Sequence, residues 1–213
     1  TLNLSDQITI IDKYPGNDGH KISVGNNSSF IEGRRIGEIW GYETIGIAKS
    51  QAEMDAHLAS LPNGGQRTLA AEWKAGDIMY KDLNGDGKIT RGKGTADDHG
   101  DLKVIGNSLP RYEYSFHLGG SWKGIDLDLF FQGVGKRSDW TIASLNFPMM
   151  RSADLAVYEH QSSYNRVFYS DDWKTITGYD INQGNTYPRL YPGNEAKGTV
   201  SGIANGSNNY YPH

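Results

Sequence analysis

Cysteine is absent from the chain, which rules out a disulfide framework, a thiolate zinc site and a thiol nucleophile. A basic excess is also missing: 21 Lys+Arg against 25 Asp+Glu leave a net charge of −4, so nothing is set up to hold a nucleic-acid backbone. No run of about 18 apolar residues occurs, which excludes a transmembrane helix. It does not exclude a membrane β-strand, which needs only about 9–11 residues of alternating pattern. Catalytic motifs are missing too. His20, His57, His99, His117, His160 and His213 show no H-E-x-x-H spacing, and there is no G-x-S-x-G. Paired acids such as Asp97-Asp98 and Asp171-Asp172 are common in loops and single out no acid–base couple. The Gly runs lack the strand–loop–helix setting of a phosphate cradle. No catalytic residue is assigned, and the chain is expected not to be an enzyme.

What is present is glycine and aromatics: 27 Gly, 13 Tyr and 5 Trp, with hydrophobic residues at only 37%. That composition favours strands and turns over helix bundles. Short β-like runs stand at Ile8–Ile11 and Lys21–Val24, with turn residues at Asn17-Asp18-Gly19 and Gly25-Asn26-Asn27. Ile36–Tyr42 reads as a strand whose glycines imply close backbone packing. One helix is expected over 50–61. Ser50 followed three residues later by Glu53 forms a capping box, Met54, Leu58 and Leu61 share a face, and Pro62-Asn63-Gly64-Gly65 stops it.

The clearest pattern is a hairpin. Tyr112, Tyr114, Phe116, Leu118, Gly120 and Trp122 alternate with polar or small neighbours. After a Lys123-Gly124 turn, Ile125, Leu127, Leu129 and Phe131 do the same against Asp126, Asp128 and Gln132. Each arm has the length of a membrane strand, with aromatics near its ends, although a soluble sandwich strand alternates equally well. Beyond Val134 periodicity is lost, and a connection this long is usually functional or disordered.

Asp82-Leu83-Asn84-Gly85-Asp86-Gly87-Lys88-Ile89 matches the opening of a D-x-[DN]-x-[DN]-G calcium loop. Alternate positions place the side-chain oxygens of Asp82, Asn84 and Asp86 on one small cation, Gly87 permits the sharp turn, and the Lys88 carbonyl is the next ligand. The closing position of an EF-hand loop is Lys93, which cannot coordinate a cation, and no helices flank the loop. Asp97, Asp98 and Asp101 lie close downstream as substitutes. The candidate set is Asp82, Asn84, Asp86 and Lys88 with Asp97 and Asp98, holding a structural calcium; the other reading is an Asx-rich turn.

Taken in order, these residues resemble one family. Gly37–Thr44, Gly76-Asp77-Ile78, Tyr80, the Asp82–Ile89 loop, Gly100-Asp101, Val104–Asn107, Pro110-Arg111-Tyr112 and Phe130–Gly135 are similar to the succession found in SusC/RagA-type TonB-dependent transporters. Asp172-Trp173 and Tyr187–Leu190 look like that family's late loop. The resemblance spans roughly residues 36–190. It implies an outer-membrane barrel of about 22 strands, plugged and driven by the TonB complex, in a Gram-negative bacterium. It also implies import of oligosaccharides or peptides with a SusD-like surface lipoprotein as partner.

The expectation is therefore a mainly β chain of antiparallel strands and hairpins from a large outer-membrane β-barrel, with long extracellular loops and one short helix. Residues 1–213 form a partial segment, without plug, TonB box or the first and last strands. About 36–106 are a loop region with the helix at 50–61 and the calcium-like loop at 82–90, 111–134 are the barrel hairpin, and 135–213 a long extracellular loop. Trp140, Tyr158, Tyr164, Tyr169 and Trp173 could stack on sugar rings, but no substrate-binding residue is nominated. The competing reading is a secreted calcium-stabilised β-domain that binds carbohydrate or mediates adhesion.

Overall fold

The computed structural model describes residues 1–24, 29–70, 73–139, 166–169 and 176–181. These are mainly antiparallel β with one helix, and no helix among them is long and apolar enough to cross a membrane. The chain divides into two compact units. The first holds residues 1–40, 95–97 and 104–139; the second holds 41–94, 98–103 and a late strand pair.

The first unit is built on a three-stranded sheet in the order β1 (Leu2–Ser5), β6 (Arg111–Trp122), β7 (Ile125–Lys136). The expected hairpin is present, with arms of 12 residues each. Its turn is Lys123-Gly124, both in the left-handed region at φ 50 and 83. Positive φ at both turn positions gives the twist that a two-residue loop needs to return a strand on its neighbour. The register pairs Phe116 with Phe131, Leu118 with Leu129, Gly120 with Leu127 and Trp122 with Ile125. β1 extends the sheet by pairing Leu2 with Phe116 and Leu4 with Tyr114. Its Leu–polar–Leu alternation was too short to stand out in the sequence.

At the other end of the arms, Arg111 grips Asp6 through two nitrogens, with Nη2 2.6 Å from Oδ2. That side-chain hydrogen bond holds the Asp6 carboxyl below its ordinary range. Tyr112 next to it has φ +56, and its Cβ would stand 3.1 Å from a methyl on Gly135, so glycine leaves the strained tyrosine its room.

The expected strands Ile8–Ile11 and Lys21–Val24 reduce to isolated bridges, Ile10 with Arg35 and Lys21 with Thr95. In the second of these, backbone amides turn to side chains instead, as the Lys21 amide does to Asn17 Oδ1 at 2.8 Å.

β2 (Glu38–Tyr42) is buried along its whole length and pairs with β5 (Leu102–Asn107). The second unit holds β3 (Thr44–Ile47), which pairs antiparallel with β4 (Ile78–Tyr80). Within this unit Tyr42, Met54, Trp73, Ile78, Tyr80, Ile89 and Leu102 are all buried. Tyr80 sits between Tyr42 at 5.5 Å and Trp73 at 6.1 Å, the latter edge-on, as aromatic quadrupoles prefer. The fully buried amide side chain of Gln66 is satisfied: Nε2 donates to the Ile78 carbonyl and Oε1 accepts from the Tyr80 amide at 2.6 Å.

The helix α1 is Gln51–Ala59, inside the expected 50–61. Ser50 Oγ accepts from the Glu53 amide at 3.2 Å, a cap worth about 1 kcal/mol. Glu53 returns its bond one residue earlier than a capping box requires, to the Lys49 amide at 2.7 Å. Met54 is fully buried and Leu61 nearly so, as their spacing predicts.

The stretch from 135 onward, which reads as loop, opens with the last residues of β7 and contains a further pair, β8 (Arg166–Tyr169) with β9 (Ile176–Asp180). A four- or five-residue strand with a register shift offers too little periodicity to be read from sequence. Trp140, Tyr158, Tyr164, Asp172-Trp173 and Tyr187–Leu190 lie outside the described residues.

Candidate functional site

The loop that follows β4 folds around its own acids. Asp82 accepts from the amides of Gly85 at 2.6 Å and Gly87 at 2.8 Å. Asn84 Oδ1 accepts from the Asp86 amide, and Asp86 Oδ1 from the Lys88 amide. Gly85 and Gly87 both have φ +76, a conformation that side-chain-bearing residues rarely adopt. The apolar anchor is where the spacing puts it. Ile89 is fully buried, its amide bonded to the Gly65 carbonyl at 2.8 Å and its own carbonyl receiving the Thr68 hydroxyl.

The closing acid is Asp101, just before β5. It is fully buried, with Oδ1 accepting from the Leu83 amide at 2.8 Å and Oδ2 from the Thr90 amide at 2.7 Å. One oxygen each from Asp82, Asp86 and Asp101 lie within 4.8 Å of one another. Asp97 and Asp98, taken from the sequence as candidate ligands, face other partners. Asp97 meets His20 Nδ1 at 3.2 Å, and Asp98 meets Lys93 Nζ at 3.6 Å. Sequence spacing left these acids equal, and burial separates them: Asp101 adjoins the buried Leu102, whereas the Asp97 side chain is 81% exposed.

Burial pushes the Asp101 carboxyl above its ordinary value; three backbone amides work against that shift, and the charge of Asp82 adds to it. The Lys88 ammonium, 3.9 Å from Asp86 and partly exposed, is a weak counter-charge for three acids. The donor set is all oxygen, from the carboxylates of Asp82, Asp86 and Asp101. Hard oxygen ligands at this density suit a calcium ion rather than a transition metal. Asn84 stands beside the cluster, while Lys88 contributes its amide to the turn.

The second candidate surface is the β1–β6–β7 sheet. Register puts Leu2, Leu4, Tyr114, Phe116, Leu118, Trp122, Ile125, Leu127, Leu129 and Phe131 on one face, each 37–74% exposed. The opposite face carries Asn3, Ser5, Glu113, Ser115, His117, Ser121, Asp126, Asp128 and Gln132. There, pairs bond across strands, such as His117 Nε2 with Asp128 at 2.9 Å and Asn3 with Ser115 at 3.0 Å. Phe130 and Val134 are apolar exceptions on this face, Phe130 edge-on to His117 at 6.5 Å and Val134 opposite Glu113. A contiguous apolar face of this extent is not left to water in a soluble monomer.

No protein-family model matches the chain. Over 116 residues it is 30% identical to TonB-dependent receptor P3 of Formosa agariphila, a match that covers 54% of this chain and 10% of that protein. The similarity is to a TonB-dependent receptor. It supports that family at the coarse level only, and leaves SusC/RagA character as a narrower reading. The chain spans about a tenth of the relative's length.

Proposed function

We propose that the chain is an internal segment of a TonB-dependent outer-membrane importer of the SusC/RagA type. In this reading β1, β6 and β7 stand in the barrel wall. Their apolar face meets lipid and their polar face the lumen. The second unit belongs to the loop region that shapes the outer vestibule. The cargo is an oligosaccharide or a peptide, a SusD-like surface lipoprotein covers the vestibule, and the TonB complex acts through parts outside this chain.

The observation that carries the reading is the two-faced sheet. Two arms of 12 residues, joined by a two-residue turn, match what a tilted strand needs to cross a bilayer. The turn is short, as on the periplasmic side of such barrels, and the long connections leave from the opposite end. Fractionation of the native cells, blotted with an antibody to this chain, tests it. A band far larger than 23.6 kDa in the outer membrane is expected. A soluble or secreted band near the chain's own mass would overturn the reading in favour of a calcium-stabilised β-domain that binds carbohydrate or mediates adhesion.

The same proposal assigns a structural calcium ion to Asp82, Asn84, Asp86 and the Lys88 carbonyl, with Asp101 in place of Asp97 and Asp98. An ion there would neutralise clustered carboxylates and tie the loop to the strand that starts at Leu102. Titration calorimetry of the chain should show calcium binding, and Asp86→Ala should weaken it and remove the rise in melting temperature that calcium gives. An absence of binding heat in the unaltered chain would leave the loop as an Asx-rich turn.

A further inference from the structure

We propose that Asn63-Gly64 is a site of spontaneous deamidation in the folded protein, and that Asp82 protects the otherwise equivalent Asn84-Gly85 from the same reaction. The sequence holds three Asn-Gly pairs, of which Asn205-Gly206 lies outside the described residues. The reaction needs the glycine amide nitrogen as nucleophile. It attacks the Asn side-chain carbonyl carbon, the C–N bond to the side-chain amide breaks, and ammonia leaves to give a cyclic succinimide. Water then opens the ring to Asp or isoaspartate, so the net change is amide plus water to carboxylate plus ammonium. Glycine favours this because it carries no Cβ to obstruct ring closure.

The two described pairs are both exposed and differ in the state of the nucleophile. The Gly85 N–H donates to Asp82 Oδ1 at 2.6 Å. Attack would require giving up that bond and forming an amide anion beside a carboxylate, which is electrostatically opposed. The Gly64 N–H has no acceptor among the described residues. Around Gly64, chain neighbours aside, the nearest atom to an added methyl is Lys88 Cβ at 3.8 Å, so the glycine sits in open space. Its φ of +136 shows that the backbone there already uses conformations open to glycine alone.

The modification has a structural consequence. Asn63 Nδ2 donates to the Asp86 carbonyl at 2.6 Å, and its amide donates to the Gly87 carbonyl at 2.9 Å. Asn63 thus braces the 82–90 loop from the segment that ends α1. A carboxylate cannot donate that first bond, and it adds a negative charge beside acids that already repel one another. Isoaspartate would also insert a backbone carbon into the brace.

The test is peptide mapping of the intact chain after incubation at mildly alkaline pH, once folded and once in denaturant, with chelator in both so that the result does not depend on calcium. In denaturant the two asparagines should convert at similar rates. In the folded chain Asn63 should convert several-fold faster than Asn84. Asp82→Ala should raise the Asn84 rate toward that of Asn63, with near-ultraviolet circular dichroism used to confirm that the aromatic core is retained. Equal rates in the folded chain, faster conversion of Asn84, or no conversion at Asn63 would each overturn the proposal. If Asp82→Ala unfolds the loop, Asp82→Asn is the second variant. Its side-chain oxygen can still accept from Gly85 but carries no charge, so an intermediate Asn84 rate is expected, and an unchanged rate would remove Asp82 as the guard.

Discussion

Leu129→Arg in the full-length protein should sharply reduce the amount that reaches the outer membrane, whereas Gln132→Arg should leave it nearly unchanged. The two sites lie three residues apart on the same strand but on opposite faces. Leu129 pairs with Leu118 near the middle of the arms, and Gln132 pairs with Ser115 on the polar side. An arginine in hydrocarbon at mid-depth costs about 2–4 kcal/mol, and this falls toward zero near the interfaces or in a watery lumen. The readout is immunoblotting of outer-membrane fractions for both variants at equal expression. Equal tolerance of the two substitutions would argue against a lipid-facing sheet. Equal loss would point to a sheet packed on both sides.

The second large effect is expected at Asp101. Replacing it with alanine removes the acceptor for the amides of Leu83, Asn84 and Thr90. A buried donor left without a partner costs about 1–3 kcal/mol, and the substitution also removes an unfavourably buried charge, so a net loss of about 2–4 kcal/mol is expected. Urea unfolding of the chain in chelator measures it. Asp101→Asn should recover part of the loss, because its side-chain oxygen can still accept while its NH₂ faces an amide donor. A change within about 0.5 kcal/mol for Asp101→Ala, the range of ordinary surface substitutions, would show that the loop does not depend on this residue.

The pH dependence carries opposite signs at different acids. Asp6 and Glu43 are held below their ordinary values, first by side-chain hydrogen bonds to Arg111 and Lys103 respectively. Their contributions are present above the ordinary carboxylate range and fade as pH falls through the lowered folded values. Asp101 runs the other way. Its folded pKa is raised, first by burial, so its contribution is full below the unfolded value near 3.8 and is lost as pH rises through the folded one. Burial thus disfavours the ionised form of Asp101, and a bound divalent cation would offset that cost.

Some of this was legible from the residues alone. Alternation from Tyr112 to Phe131 around Lys123-Gly124 determines a hairpin with one apolar face, because side chains on a strand alternate strictly and Lys-Gly can adopt the left-handed turn. Ser50 with Glu53 determines where the helix starts, since the first-turn amides need acceptors that only a side chain can supply there. The spacing of Asp82, Asn84 and Asp86 with Gly85 and Gly87 determines a tight acid-lined turn. These are local rules, whose partners lie a few residues apart.

Tertiary structure alone decided the rest. That Leu2–Ser5 joins β6 depends on a pairing across more than a hundred residues, and four residues carry too little pattern to announce it. That Asp101, and not Asp97 or Asp98, lies beside Asp82 and Asp86 follows from its burial next to Leu102. Sequence specifies what each residue can do within its own turn or strand. Which distant group it meets follows from the folded core, because burial and long-range pairing belong to the whole chain.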